Sequence, residues 1–175
     1  NGGTAQDFTI SDCHFVTGGA ATGATRSAGL SFNGSGTQAN IHSCTFSGSG
    51  AGVLMLTTSS TQNIDSCDFQ NAVGVYLEGG ELYAGTGSSF ACDTNAIRFG
   101  GAVSAAIVGN SFDTGSTTTA TKIFVQASAA FSSLNISHNN LDVQTAAVGI
   151  DFASATTNSD GLVIVGNTFA GAGTA

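Results

Sequence analysis

The chain has 175 residues, of which 8% are charged where ordinary soluble domains carry roughly a quarter, and 11 Asp/Glu against 3 Lys/Arg leave a net charge of −8. Such a composition provides no basic patch for the phosphates of a nucleic acid, and no apolar run approaches the roughly 20 residues that cross a bilayer. The 25 glycines and the lack of proline would suit a linker, but 41% hydrophobic residues placed at regular intervals exclude a disordered one.

The first predicted element carries Phe8 and Ile10, then Asp12, Cys13 and Phe15. The same phrase returns as Ile41-Ser43-Cys44-Phe46, as Ile64-Ser66-Cys67-Phe69, and in degenerate form between Leu82 and Phe90. It returns again as Ile107-Gly109-Asn110-Phe112, Ile136-His138-Asn139-Leu141 and Ile164-Gly166-Asn167-Phe169. Recurrence at this period marks one supersecondary unit stacked on copies of itself. Apolar residues at alternate positions around each isoleucine are the mark of a half-buried strand, and no segment has the period of a helix.

Cysteine or asparagine follows each isoleucine by three positions, an odd offset that would put the two side chains on opposite faces of a straight strand. A corner must intervene. The residue two after each isoleucine (Asp12, Ser43, Ser66, Gly109, His138, Gly166) is expected to take the left-handed conformation there. A second apolar run follows in each unit: Leu30-Phe32, Val53-Met55, Val75-Leu77, Ile97-Phe99, Ile123-Val125 and Val148-Ile150-Phe152. Each unit then has three short strands and three bends. Stacking in parallel and in register predicts columns of isoleucine, phenylalanine and asparagine.

With these repeats the sequence resembles the right-handed parallel β-helix family, which includes pectate lyases, related polysaccharide lyases and hydrolases, and bacteriophage tailspikes. The resemblance runs from about Phe8 to Phe169. It implies an all-β solenoid of about seven coils forming a single domain over residues 1–175. The absence of an initiating methionine, and an ending in Gly-Thr-Ala just after a complete repeat, read as a segment of a longer chain. Its ends would be covered by flanking domains or in a homotrimer.

Cys13, Cys44 and Cys67 share one repeat position and are expected as stacked, buried thiols, with a disulfide between neighbours or a metal as the lesser alternatives. No metal or cofactor is expected. His14, His42 and His138 read as surface or turn residues, because no nucleophile and acid converge on one of them in the sequence.

The outer face of the third strand carries the sharper signal. If Leu30, Val53, Val75, Ile97, Ile123 and Ile150 point inward, then Ser31, Leu54, Tyr76, Arg98, Phe124 and Asp151 point outward at matching heights. One pleat on come Asn33, Leu56, Glu78, Gly100, Gln126 and Ala153. Leu54, Leu56, Tyr76 and Phe124 would form an apolar stripe, and exposed stripes mark contact surfaces. It is either a trimer interface or a groove in which Tyr76 and Phe124 stack on pyranose rings while Glu78, Arg98 and Asp151 bond hydroxyls. A long turn folding over the stripe is the third reading.

Glu78 and Glu81, across the Gly79-Gly80 bend, are the weak candidates for a carboxylate pair in glycoside hydrolysis. The family's uronate lyases imply acidic calcium clusters and a basic proton abstractor. Here only Arg26, Arg98 and Lys122 are available, and no acidic cluster surrounds Arg98. The expected function is therefore recognition of a bacterial surface polysaccharide by a virion tail or extracellular protein resembling a tailspike or tail fibre, with no membrane insertion. A polysaccharide-degrading enzyme and a bacterial surface adhesin are the alternatives. Specificity is expected in the uneven bends 18–28 and 114–120.

Overall fold

The computed structural model describes residues 6–20, 26–34, 36–56, 61–101, 103–113, 122–143, 147–152 and 160–171. The first repeat comprises β1 (Gln6–Ser11), β2 (His14–Thr17) and β3 (Ala28–Phe32). The second has β4 (Thr37–His42) and β5 (Thr45–Met55), and the third β6 (Thr61–Asp65) and β7 (Asp68–Leu77). Next come β8 (Gly80–Ala84), β9 (Ser89–Phe90) and β10 (Asn95–Phe99), then β11 (Val103–Val108), β12 (Ser111–Phe112) and β13 (Lys122–Ala127). The sixth has β14 (Phe131–Ser137), β15 (Asn140–Asp142) and β16 (Ala147–Asp151), and the seventh β17 (Leu162–Val165) and β18 (Thr168–Ala170). No helix occurs among the described residues.

All strand pairs are parallel, and each strand pairs with its equivalent in the neighbouring repeat. The opening strands form a 7-stranded sheet in the order β1-β4-β6-β8-β11-β14-β17. The second and third strands are joined in one 11-stranded sheet, because β5 and β7 run through both positions without a break. A register shift between Gly48 and Ala51 marks where the separate strands meet in β5. Gly48 is obligatory there: its φ is +109°, and a Cβ would lie 2.0 Å from the Thr17 carbonyl oxygen.

The predicted columns are present. Ile10, Ile41, Ile64, Ala84, Ile107, Ile136 and Ile164 lie in one register line. Alanine in the fourth place explains the degenerate copy, which has Leu82 one pleat earlier, level with Gln62 and Ala105. Phe15, Phe46, Phe69, Phe90 and Phe112 stack with centroids 5.0, 4.7, 4.7 and 5.0 Å apart and planes within 9°. Strand spacing in a sheet is the same 4.7–4.9 Å, so the rings stack because the backbone sets their interval.

The corners behave as their residue types dictate. Asp12, Ser43, Ser66 and His138 have φ of 54°, 53°, 51° and 56°, and Gly109 and Gly166 have 69° and 66°. Beyond the corners at Ser43, Ser66, Gly109 and His138 the next side chain, Cys44, Cys67, Asn110 or Asn139, is buried. Cys13 in the first repeat is instead exposed, against the expectation of three buried thiols, because β1 has a neighbouring repeat on one side only among the described residues. Asn110 donates from Nδ2 to Asn139 Oδ1 (3.3 Å) and Asn139 to Asn167 Oδ1 (3.0 Å), while their Oδ1 atoms also accept backbone N–H groups. The thiols extend this column: Cys44 donates to the Ile10 carbonyl and Cys67 to the Ile41 carbonyl. Cys13, Cys44 and Cys67 are thiols rather than disulfide partners of one another. Burial pushes the Cys44 thiol pKa up and raises that of Cys67 to about 11.

Candidate functional site

The third-strand column on the outer face runs Ser31, Leu54, Tyr76, Arg98, Gln126, Asp151. Five of its six members stand as the alternation of the sequence requires. Phe124 does not. Ile97 pairs with Val125 rather than Ile123, which places Gln126 at the height of Arg98 and Ala96 level with Phe124. The Phe124 ring is buried in the main core, 5.8 Å from that of Phe112 and tilted by 35°. The cause is local: the next member of the aromatic column is Leu141, a shorter side chain, and Phe124 packs where the regular ring stack ends.

The apolar stripe is also covered. Leu54 is 3% exposed and Tyr76 8%, and with Ala51 and Val73 they form a second cluster against which Ala28, Leu56 and Ala72 pack. Arg26, from the long bend before β3, lies with its guanidinium 5.1 Å from the Tyr76 ring centroid, and that of Arg98 lies at 5.5 Å. Two of the chain's three basic residues thus meet on one tyrosine. Of the three readings of the stripe, the folded-over turn describes the position of Arg26.

Beside this cluster is a recess of about 340 Å³ lined by Arg26, Ser31, Asn33, Leu54, Leu56 and Glu78. Leu54 and Leu56 supply apolar surface. Arg26 and Glu78 form an ion pair, and their hydrogen bond pushes the guanidinium pKa further up. Tyr76 donates its hydroxyl to Glu78 Oε1 at 3.5 Å, and Ser31 donates to Asn33 Oδ1 at 3.1 Å. Arg98 adjoins from the next strand, its Nε buried without a hydrogen-bond partner. Asp151 lies farther along the column, where it accepts from Gln126 Nε2 at 3.3 Å.

Arg26 and Ser31 were not singled out as ligand contacts by sequence spacing. The signal available for Arg26 was its rarity: a cation in a chain with 3 Lys/Arg, set in a long bend. Glu78 and Glu81 do not share a partner. Glu81 lies on the 7-stranded sheet and accepts from Thr61 Oγ1 at 3.3 Å, whereas Glu78 is held by Arg26. His14 Nε2 is 3.3 Å from Ser47 Oγ, but no carboxylate among the described residues is hydrogen-bonded to His14. Among those residues, no group of three or more His, Cys, Asp or Glu could hold a metal ion, and no helix is long and apolar enough to cross a membrane. The bend 114–120 and Ala153 lie outside the described residues.

No protein-family model, curated protein or solved structure matches this chain.

Proposed function

We propose that the two parallel sheets are walls of a right-handed parallel β-helix, and that the recess at Leu54 binds a sugar unit of a bacterial surface polysaccharide. The register supports the winding, since each of seven opening strands pairs with its equivalent one repeat on. Parallel crossover connections are right-handed in about 98% of cases, which supports the hand. In this reading the chain is a structural and receptor-binding part of a virion tail or extracellular fibre, acting as a homotrimer whose three recesses add by avidity.

The observation that carries the ligand class is the recess itself. Its volume, near 340 Å³, falls in the range of small-ligand sites, and its apolar floor is bordered by a guanidinium, a carboxylate, an amide and a hydroxyl. Those groups match the alternating donors and acceptors of sugar hydroxyls, while Leu54 and Leu56 meet the C–H face of a pyranose. The mechanism is binding. Glu78 is engaged by Arg26 and has no second carboxylate bonded into the recess.

Titration calorimetry with purified capsular and lipopolysaccharide glycans tests this reading. Asn33→Ala and Glu78→Gln are each expected to weaken a bound glycan about tenfold, roughly 1.4 kcal/mol, and Glu81→Gln to leave it unchanged. Equal affinities for wild type and Glu78→Gln remove the recess from the account. Glycan shortening that Glu78→Gln abolishes replaces binding with hydrolysis.

A further inference from the structure

Asn33 and Gly34 follow β3 directly and form the only Asn-Gly pair among the described residues. Such a pair is chemically labile. With no Cβ on the second residue, its backbone nitrogen can swing onto the carboxamide carbon of the asparagine, and both residues are exposed here. A Cβ built on Gly34 would meet only Thr37 Oγ1, at 3.5 Å, so the main chain has room for that movement.

The attacked group is also polarised. Ser31 Oγ donates to Asn33 Oδ1 at 3.1 Å, and this hydrogen bond strengthens as negative charge develops on that oxygen when Cγ becomes tetrahedral. Other asparagines are protected. Asn40, Asn63 and Asn135 each precede an isoleucine, whose branched side chain hinders the approach, and Asn110 and Asn139 are buried with their amides engaged along the asparagine column.

We propose that Asn33 is a site of spontaneous deamidation assisted by Ser31, which converts the one amide lining the recess into a carboxylate. The Gly34 nitrogen, losing its proton to hydroxide, bonds to Asn33 Cγ; the Cγ–Nδ2 bond breaks, and Nδ2 takes up a proton and leaves as ammonia. Water then opens the cyclic succinimide at either carbonyl, giving aspartate or isoaspartate. One water enters, one ammonia leaves, and no oxidant is needed. The product sets a second carboxylate beside Glu78 in a recess whose lining cation, Arg26, that glutamate already engages. The Nδ2 donor is lost as well. Ser31, Asn33 and Gly34 belong to one repeat, so the reaction requires no contact with a neighbouring one. Its consequence for binding rests on the recess being the glycan site, whereas the conversion itself does not.

Peptide mapping by mass spectrometry, after incubation of the folded protein at mildly alkaline pH, tests the proposal, with isoaspartyl methyltransferase labelling to detect the isoaspartate. Asn33 should gain the mass of an amide-to-acid exchange while Asn110 and Asn139 keep theirs. Ser31→Ala should slow the conversion about tenfold in the folded protein and leave it unchanged in urea, where the hydrogen bond is lost in both chains. An Asn33 that stays intact in the folded wild type while the urea-unfolded chain converts overturns the proposal, whether or not the variant folds. So does equal conversion of folded wild type and Ser31→Ala. Asn33→Asp, which carries the product from the start, should bind the glycan at least as weakly as Asn33→Ala; wild-type binding by Asn33→Asp beside an observed conversion counts against the recess reading and leaves the modification standing.

Discussion

At the corner after β6, Ser66 is held at φ 51°, a conformation that costs an L-residue roughly 1–2 kcal/mol. The strain is accepted because the turn returns Cys67 to the buried face, 2% exposed, where its thiol donates to Ile41. Ser66→Val, with a branched Cβ in that region, is expected to lower stability by about 1–2 kcal/mol in urea unfolding, and Ser66→Gly to be neutral or stabilising. The corner positions were legible because an odd offset between two buried residues forces a turn whichever residue occupies it. Residue type then chose Asp, Ser, His or Gly. Cys67 adds a pH prediction. Burial raises its pKa from an ordinary 9.0 to about 11, so the unfolded chain binds fewer protons between those values. The stability due to the neutral thiol is complete below about pH 9 and is lost as pH rises toward 11, and Cys67→Ser should flatten that part of the unfolding profile.

At the scale of the element, the third strand shows where sequence spacing stops being informative. Val53, Val75 and Ile97 were placed correctly by alternation, but Ile123, Phe124 and Val125 offer three successive apolar residues, and alternation alone cannot choose among registers. Packing against Phe112 decides it, a contact between β12 and β13 that alternation within one strand does not encode. Gly74 illustrates the opposite case, a small residue demanded by its opposite neighbour. A Cβ there would lie 2.6 Å from the Ala96 carbonyl oxygen and 2.9 Å from Phe90 Cδ1. Gly74→Ala is therefore expected to lower the melting temperature through overpacking of about 1–3 kcal/mol. Gln62 is a third instance: 1% exposed between Ala39 and Leu82, with both amide atoms lacking a partner. Gln62→Leu should stabilise the fold by about 1–3 kcal/mol in the same assay, since it removes two unmet polar groups.

For the whole molecule, repetition made the register readable and the recess only partly so. Columns follow from intervals along the chain, whereas the recess depends on Arg26 crossing from a bend to Glu78, a contact between residues with unrelated places in the repeat. That is why Leu54, Tyr76, Glu78 and Arg98 were found together while Arg26 was not. The parallel register on which every column rests is best measured by spin-label distances from Thr9, in a Cys13→Ser background, to Asn63, Ala106 and Val163 in turn. These outer-face positions lie two, four and six strands from Thr9 in the 7-stranded sheet. At about 4.8 Å per strand the separations should grow as roughly 10, 19 and 29 Å. A series that fails to lengthen in equal steps would contradict the account.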